Sequence, residues 1–437
     1  MTDVIVIGGG LAGLAAAAAL GGTGASVELF ESRPFLGGRA TSYSLPDSEI
    51  IDNCQHILLR CCVNLLDFYR RLAVEDKVQF FPEIPFMEPG GRTSIFRRGL
   101  LPAPLHFTES FLRLPFLNLR DKLAIGRAFL AIMLEHQRRR DLDDISMLDW
   151  LREKGQTPNA IERFWRQVLV SAINEELDRM AASHGLQVFR LGFLATKDSY
   201  EMGVPNVPLG ELYGSEAWER MANVKLRLRA AVEKVEVSGG RVTGIVSGGE
   251  NHVAQQYVSA VPFERLGGLI PEAGIDTQAF EHSSITGVHV WFDRPVTEMA
   301  NATLLDRNIQ WFFNKDGGRY LQLVISASRH LLEMPRQQVI DLAVQELREF
   351  LPAAREAQVV KAHVVKEARA TFSALPGLHK HRPESTTRLE NLWLAGDWTQ
   401  SGWPATMEGA VRSGYKAAEF TAAALERPAR FLLPDIK

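Results

Sequence analysis

The stretch VIVIGGGLAGLAAAAAL, Val4 to Leu20, decides the fold. Four β-branched residues, Val4 to Ile7, make a short apolar run suited to a buried strand, and it ends in glycines that open into an alanine-rich helix. Gly8, Gly10 and Gly13 have the Gly-x-Gly-x-x-Gly spacing of a strand, turn and helix wrapped round a dinucleotide. Gly8 permits the tight turn, Gly10 lets the backbone approach a pyrophosphate, and Gly13 lets the helix pack closely on the sheet. The helix N-terminus offers unpaired N–H groups and a positive dipole end to the phosphates. A second strand, SVELFE, ends at Glu31, 18 residues beyond Gly13, where a carboxylate can bind the hydroxyl pair of a ribose. Past it, SRPFLGGRA sets Arg33, Gly37, Gly38 and Arg39 in a second glycine turn that a plain NAD fingerprint does not carry.

At the other end of the chain, LAGDWTQSGWPATMEGAVRSG (Leu394 to Gly414) reads as a strand ending at Gly396-Asp397, a Trp-rich loop, and a helix restarting at Pro404. Proline suits a first helical turn, where its missing N–H would be unpaired anyway. The small residues Ala410, Ser413, Gly414 and Ala417 allow this helix to approach the first β-α-β unit closely. Midway, VEKVEV and RVTGIV alternate as two strands of a hairpin around Ser238-Gly239-Gly240. No second Gly-x-Gly-x-x-Gly opens a helix, so no separate NAD(P)H site is expected.

The pieces organise as a discontinuous nucleotide domain over residues 1–80, 206–284 and 384–425. Two inserts interrupt it. Residues 81–205 show helical periodicity, as in DKLAIGRAFLAIMLEHQRRR and AIERFWRQVLVSAI, and residues 285–383 show alternating strands such as GVHVWF and YLQLVIS. Together they predict one substrate domain. With 437 residues, 46% hydrophobic and 23% charged, the chain is globular and large enough for two or three domains. A net charge of -3 leaves no electrostatic footprint for nucleic acid, which is not expected as a partner. The three cysteines, Cys54, Cys61 and Cys62, lack CxxC spacing and predict neither disulfides nor a metal site, which fits a reducing, cytoplasmic setting. No leader is expected before the first strand, and no apolar run reaches the roughly 20 residues of a spanning helix.

The second glycine turn and the Gly396-Asp397 strand end resemble the FAD signature of the amine oxidase and phytoene desaturase superfamily. More specifically, IIDNCQHILLRCCVNLLDFYRRL (Ile50 to Leu72), KDSYEMGVPNVPLGELYG (Lys197 to Gly214) and LAGDWTQSGWPATMEGAVRSGY are similar to the hydroxysqualene dehydroxylases, squalene-associated FAD enzymes of bacterial hopanoid synthesis. The resemblance spans nearly the whole chain. It implies an α/β fold, with a Rossmann-like FAD-binding domain of glutathione-reductase type, amine oxidase-like, and an interleaved α+β substrate domain. The FAD contacts it implies are Gly8, Gly10, Gly13, Glu31, Arg33, Gly37, Gly38, Arg39, Val232, Gly396, Asp397, Trp403, Thr406 and Met407. Asp397 would bind the ribityl chain, and N–H groups near Thr406 and Met407 would face the flavin pyrimidine ring. FAD is expected to be non-covalent, because no cysteine follows Cys62. Cys54 stands where the superfamily commonly has a glycine beside the flavin.

The activity implied is reductive replacement of the allylic hydroxyl of hydroxysqualene by hydrogen, with an external reductant for the flavin and a long-chain isoprenoid as substrate. A hydroxide leaves poorly, so an acid is needed. His56, Asp52 and Glu408 are the candidates by position; His56 leads because an imidazole keeps a protonated fraction near neutral pH, and Tyr200 is an outsider. The alternative is an isoprenoid desaturase or amine oxidase running oxidatively on the same FAD site. Arg97 to Leu134 mixes Leu and Phe with Arg97, Arg98, Arg113, Arg120 and Arg127, and reads either as a peripheral segment lying in a bilayer interface, with Phe111, Leu114 and Phe116 among its contacts, or as an internal lid. The sequence does not give the oligomeric state.

Overall fold

The computed structural model describes residues 2–136 and 138–437. Strand β1 (Thr2–Ile7) buries the β-branched run on both faces, as the centre of a parallel sheet requires. Helix α1 (Leu11–Gly21) follows it and β2 (Val27–Phe30) pairs beside it in parallel. The sheet has five strands in the order Val224–Arg227, β2, β1, Ala254–Ser259, Leu392–Leu394, all parallel. Its strands thus come from the beginning, middle and end of the chain.

From Leu11 to Leu20 helix α1 is buried all round, because the C-terminal helix Met407–Ala424 covers the side turned away from the sheet. The two helices meet backbone to backbone: a Cβ on Gly414 would lie 2.2 Å from the carbonyl oxygen of Ala12. That helix begins at Met407 with Thr406 as N-cap, three residues later than the expected start at Pro404. The threonine hydroxyl accepts the Gly409 N–H at 3.0 Å, which sets the start where a side chain can satisfy it. The predicted hairpin is present as Val232–Ser238 and Arg241–Ser247, extended by Glu250–His252.

The second large sheet has seven strands in the order Val359–Phe372, His282–Phe292, Tyr320–Ser326, Trp311–Asp316, Asn301–Leu304, Glu83–Met87, Thr93–Arg97. Its last two strands belong to the first insert, which helical periodicity alone had assigned to helices. Phe86 and Met87 pair in parallel with Thr303 and Leu304, so one sheet joins the two inserts. The rest of the first insert is helical. Two of its helices loosen into π stretches, Ile161–Arg166 and Val188–Leu194. The whole is an α/β fold, with a Rossmann-like domain built on the parallel sheet and an interleaved α+β domain formed by the two inserts. No described helix is long and apolar enough to cross a membrane.

Candidate active site

The glycine loop is held open by contacts that leave no room for side chains. Gly8 has φ +110°, and a Cβ there would lie 2.9 Å from the Ala260 carbonyl oxygen; one on Gly13 would lie 2.0 Å from the Gly8 oxygen. Gly10, the N-cap of α1, differs: nothing lies within 4 Å of where its Cβ would be, so its backbone faces open space. Glu31, just past β2, accepts the Gly9 N–H at 2.7 Å and the Arg33 N–H at 2.8 Å, which ties the end of the second strand to the glycine loop. The Gly37-Gly38 turn packs against the same loop, its Gly37 N–H donating to the Gly9 carbonyl at 2.9 Å. Ala230 donates to the Glu31 carbonyl at 2.9 Å, and Val232 begins its strand two residues later.

Across the sheet, Asp397 is buried at the end of Leu392–Leu394 and pairs with Arg39, Oδ1 to Nη2 at 2.7 Å. The Gly396 N–H donates to Ser413 Oγ at 2.8 Å, fixing the turn to the C-terminal helix. Beneath it lies Arg382, which no sequence motif marks. Its Nη2 donates to the carbonyl oxygens of Asp397 at 2.9 Å and Thr399 at 2.5 Å, and burial lowers its pKa to about 10. A buried guanidinium thus organises the turn that carries Asp397.

A single cavity of about 360 Å³ joins these parts, from Gly10, Gly38 and Arg39 past Asp397 to Trp403, Thr406 and Met407. Gly8, Gly13, Glu31, Arg33 and Val232 do not line it, and Arg33 lines a neighbouring pocket with Arg39 and Asp397. The donor set fits FAD: an open glycine backbone at a helix N-terminus, a carboxylate at each strand end, and a second helix N-terminus at the far end. Asn53 Oδ1 and Gln55 Oε1, on residues lining the same cavity, are buried with no partner among the described residues. Cys54 has φ +58°, in the left-handed region where glycine is favoured, and burial pushes its thiol up to about 12.

The three acid candidates are not equivalent. Asp52 is off the cavity wall; its carboxylate accepts from Ser42 Oγ at 2.8 Å, the Leu209 N–H at 2.9 Å and Lys315 Nζ at 3.2 Å. Glu408 lines the cavity, yet its carboxylate caps helix α2 (Val63–Leu72), accepting Leu65 N–H at 2.7 Å and Asn64 Nδ2 at 2.8 Å. Burial raises its pKa. Both carboxylates thus accept structural hydrogen bonds, and Asp52 positions backbone and side-chain donors around it. His56 does line the cavity, but burial lowers its pKa, which works against proton donation. The outsider Tyr200 donates to the Pro82 carbonyl at 2.6 Å.

A model of the family described as flavin containing amine oxidoreductase matches residues 11–420. The chain belongs to this family. The chain is 26% identical to the zeta-carotene desaturase of Zea mays over 479 residues, 97% of this chain and 84% of the relative. It is 25% identical to the 15-cis-phytoene desaturase of Synechococcus elongatus over 453 residues, 95% of each chain. Cyclohexylamine oxidase from Brevibacterium oxydans shares its fold, with a TM-score of 0.69 at 19% identity over 98% of this chain and 100% of that one. The protein is an FAD-dependent oxidoreductase of the amine oxidase and desaturase superfamily, and its FAD is non-covalent.

These relatives overturn the expected reductive dehydroxylation. Desaturase names chemistry that takes hydrogen out of a substrate, the opposite direction to the one inferred from the Trp-Pro and Asn-Cys-Gln-His segments.

Sequence motifs mark particular residues at the glycine-loop end of the cavity, whereas at its far end they mark only aromatic and leucine residues of the inserts in general. Phe164 and Phe193, from the two π stretches, line it together with Phe86 and Phe96 from the insert strands. Their signal was available only as aromatic residues in helical periodicity, which plain core packing produces as well.

Proposed function

We propose that this protein is an FAD-dependent desaturase of a long, acyclic isoprenoid chain. The observation that carries the reading is the character of the cavity beyond the cofactor end, where Ile84, Phe86, Phe96, Phe164, Phe193 and Met202 form the walls. Such walls exclude water and hold a methyl-branched apolar chain by area, and none of these six side chains carries a charge to anchor an amine. Of the acids that reach the cavity, Asp397 pairs with Arg39, Glu408 accepts from the start of α2, and Glu367 accepts from Asn53 Nδ2 at 3.3 Å. Desaturation removes two hydrogens from adjacent carbons, and bound FAD supplies the two-electron oxidising chemistry. The chain's own residues supply orientation, since Gly10, Glu31, Arg39 and Asp397 would fix the cofactor while the rings would fix the substrate. The N–H groups of the Met407–Ala424 helix N-terminus favour negative charge at the adjoining end of the cavity. An electron acceptor outside the chain replaces the reductant that dehydroxylation would have needed.

The test is anaerobic bleaching of the flavin absorbance. 15-cis-phytoene and zeta-carotene dispersed in lipid are expected to bleach it and to yield products with longer conjugation, while cyclohexylamine and putrescine leave it unchanged. Bleaching by the amines alone would make the chain an amine oxidase instead.

A further inference from the structure

Nine of the sixteen large apolar side chains exposed among the described residues lie between Leu100 and Leu134. Leu100 is 95% exposed, and on helix α4 (Leu119–Glu135), which follows the short helix α3 (Thr108–Leu112), Leu119, Leu123 and Leu130 are 69%, 60% and 59% exposed. The spacing of Leu119, Leu123, Leu130 and Leu134 places them in one stripe along the solvent side of α4, opposite the buried Ala124, Ile125, Ala128 and Ile132. Arg120 and Arg127 border the stripe on one side and Lys122 on the other, by the same helical geometry. Lys122 Nζ donates to the Leu112 carbonyl at 2.7 Å, which ties α4 to α3 and its exposed Leu112 and Arg113.

We infer that this leucine face docks on a lipid bilayer bearing anionic headgroups. Residues 97–134 carry six Lys or Arg against two acids, in a chain whose net charge is -3. One of those acids, Asp121, is buried in the N-terminal cap of α4. An apolar stripe bordered by cations is complementary to a surface that is apolar in depth and negative at its rim. A second copy fits less well, because two-fold pairing of this face would set its arginines against each other. The segment is also the outer wall of the cavity. Phe107, Phe111 and Phe129 point inward, with ring centroids 6.0, 5.9 and 6.0 Å from Phe193, Phe164 and Phe164, and both of those rings line the cavity. One layer of rings therefore separates the lipid-facing leucines from the cavity, and an apolar substrate passes from bilayer to site without crossing water. Leu114 and Phe116 are buried and Phe111 is half-buried, so the outward leucines, and not these three, make the contact.

The inference does not depend on the desaturase reading, since its test needs no substrate. The FAD-loaded protein is sedimented with vesicles of phosphatidylcholine alone or mixed with phosphatidylglycerol, at low and high salt. Wild type is expected to bind the mixed vesicles and to weaken with salt. Replacing Leu119, Leu123 and Leu130 together with serine is expected to weaken binding by roughly a hundredfold or more while the flavin absorbance stays unchanged. Reversing Arg113, Arg120 and Arg127 to glutamate is expected to abolish only the preference for phosphatidylglycerol. Serine-variant binding equal to wild type overturns the inference. So does failure of wild type to bind either vesicle; dimers that the serine variant dissociates would then assign the face to a second copy.

Discussion

Replacing Glu408 with glutamine keeps the shape of the side chain and removes one acceptor. In the native arrangement Oε1 accepts from the Asn64 N–H at 3.2 Å and Nδ2 at 2.8 Å, and Oε2 accepts from the Leu65 N–H at 2.7 Å. A glutamine can satisfy the two Asn64 donors or the Leu65 donor, and its own NH2 then faces the remainder. An unpaired buried N–H costs about 1–3 kcal/mol, and the surviving bonds lose the strengthening that a charged acceptor gives. Relief from burying the charge, which raises the native pKa, offsets part of this. The net expectation is a loss of about 2–3 kcal/mol. Thermal unfolding would shift down by roughly 2–3 °C for a chain of 437 residues unfolding as a unit. Turnover per bound flavin should stay within a few-fold of wild type. The reasoning is refuted if Glu408→Gln unfolds at the wild-type temperature, carries full FAD, and has lost turnover, since the carboxyl would then be acting on the substrate.

Other consequences are testable on the same protein. Glu31→Ala and Asp397→Ala are each expected to weaken FAD, because each deletes charge-assisted hydrogen bonds worth on the order of 1.5–3 kcal/mol; titration by flavin fluorescence would show unchanged affinity if these carboxylates only brace the fold. Acid precipitation should release all the FAD into the supernatant, and yellow colour left on the pellet with added mass on a Cys54, Cys61 or Cys62 peptide would contradict non-covalent binding. Burial holds His106 near 4 and His184 and His289 near 3, below the 6.5 of an exposed imidazole. The unfolded chain takes up these protons first, so their contribution is full above about pH 6.5 and is lost as pH falls toward 4. Denaturant midpoints should drop over that window. The drop should be shallower in His106→Leu, whose native ring makes no hydrogen bond among the described residues.

The sheet that holds the cofactor was legible because its residues are constrained one by one. Gly8 and Gly13 have no room for a side chain, β1 must be apolar on both faces, and Glu31 must stand at a strand end. The insert strands Glu83–Met87 and Thr93–Arg97 were missed because they form a hairpin of only five residues a side, and the pairing that fixes it in the sheet, Phe86 and Met87 with Thr303 and Leu304, spans more than 200 positions, about which local periodicity carries no information. Arg382 was missed for a related reason: its meaning comes from carbonyl groups 15 and 17 residues on, in a turn with no fixed sequence. At Glu408, nearness in sequence to the flavin-facing turn gave its position on the cavity wall but not its partners, because its donors come from Asn64 and Leu65. Reaction direction was not legible, since the same glycines and carboxylates serve oxidants and reductants alike.

The parallel sheet drawn from three distant parts of the chain also sets an order of events during synthesis. Gly8 to Glu31 leave the ribosome first, but Asp397 and the helix that covers α1 follow 366 positions after Glu31, roughly 20–70 s later at ordinary elongation rates. Through that interval α1, apolar on every side, has no C-terminal helix to cover it. Cofactor capture is therefore an event of the finished polypeptide, and a stop codon anywhere before Leu392 would leave an apo chain with an uncovered alanine helix, a species for chaperones and proteases to receive.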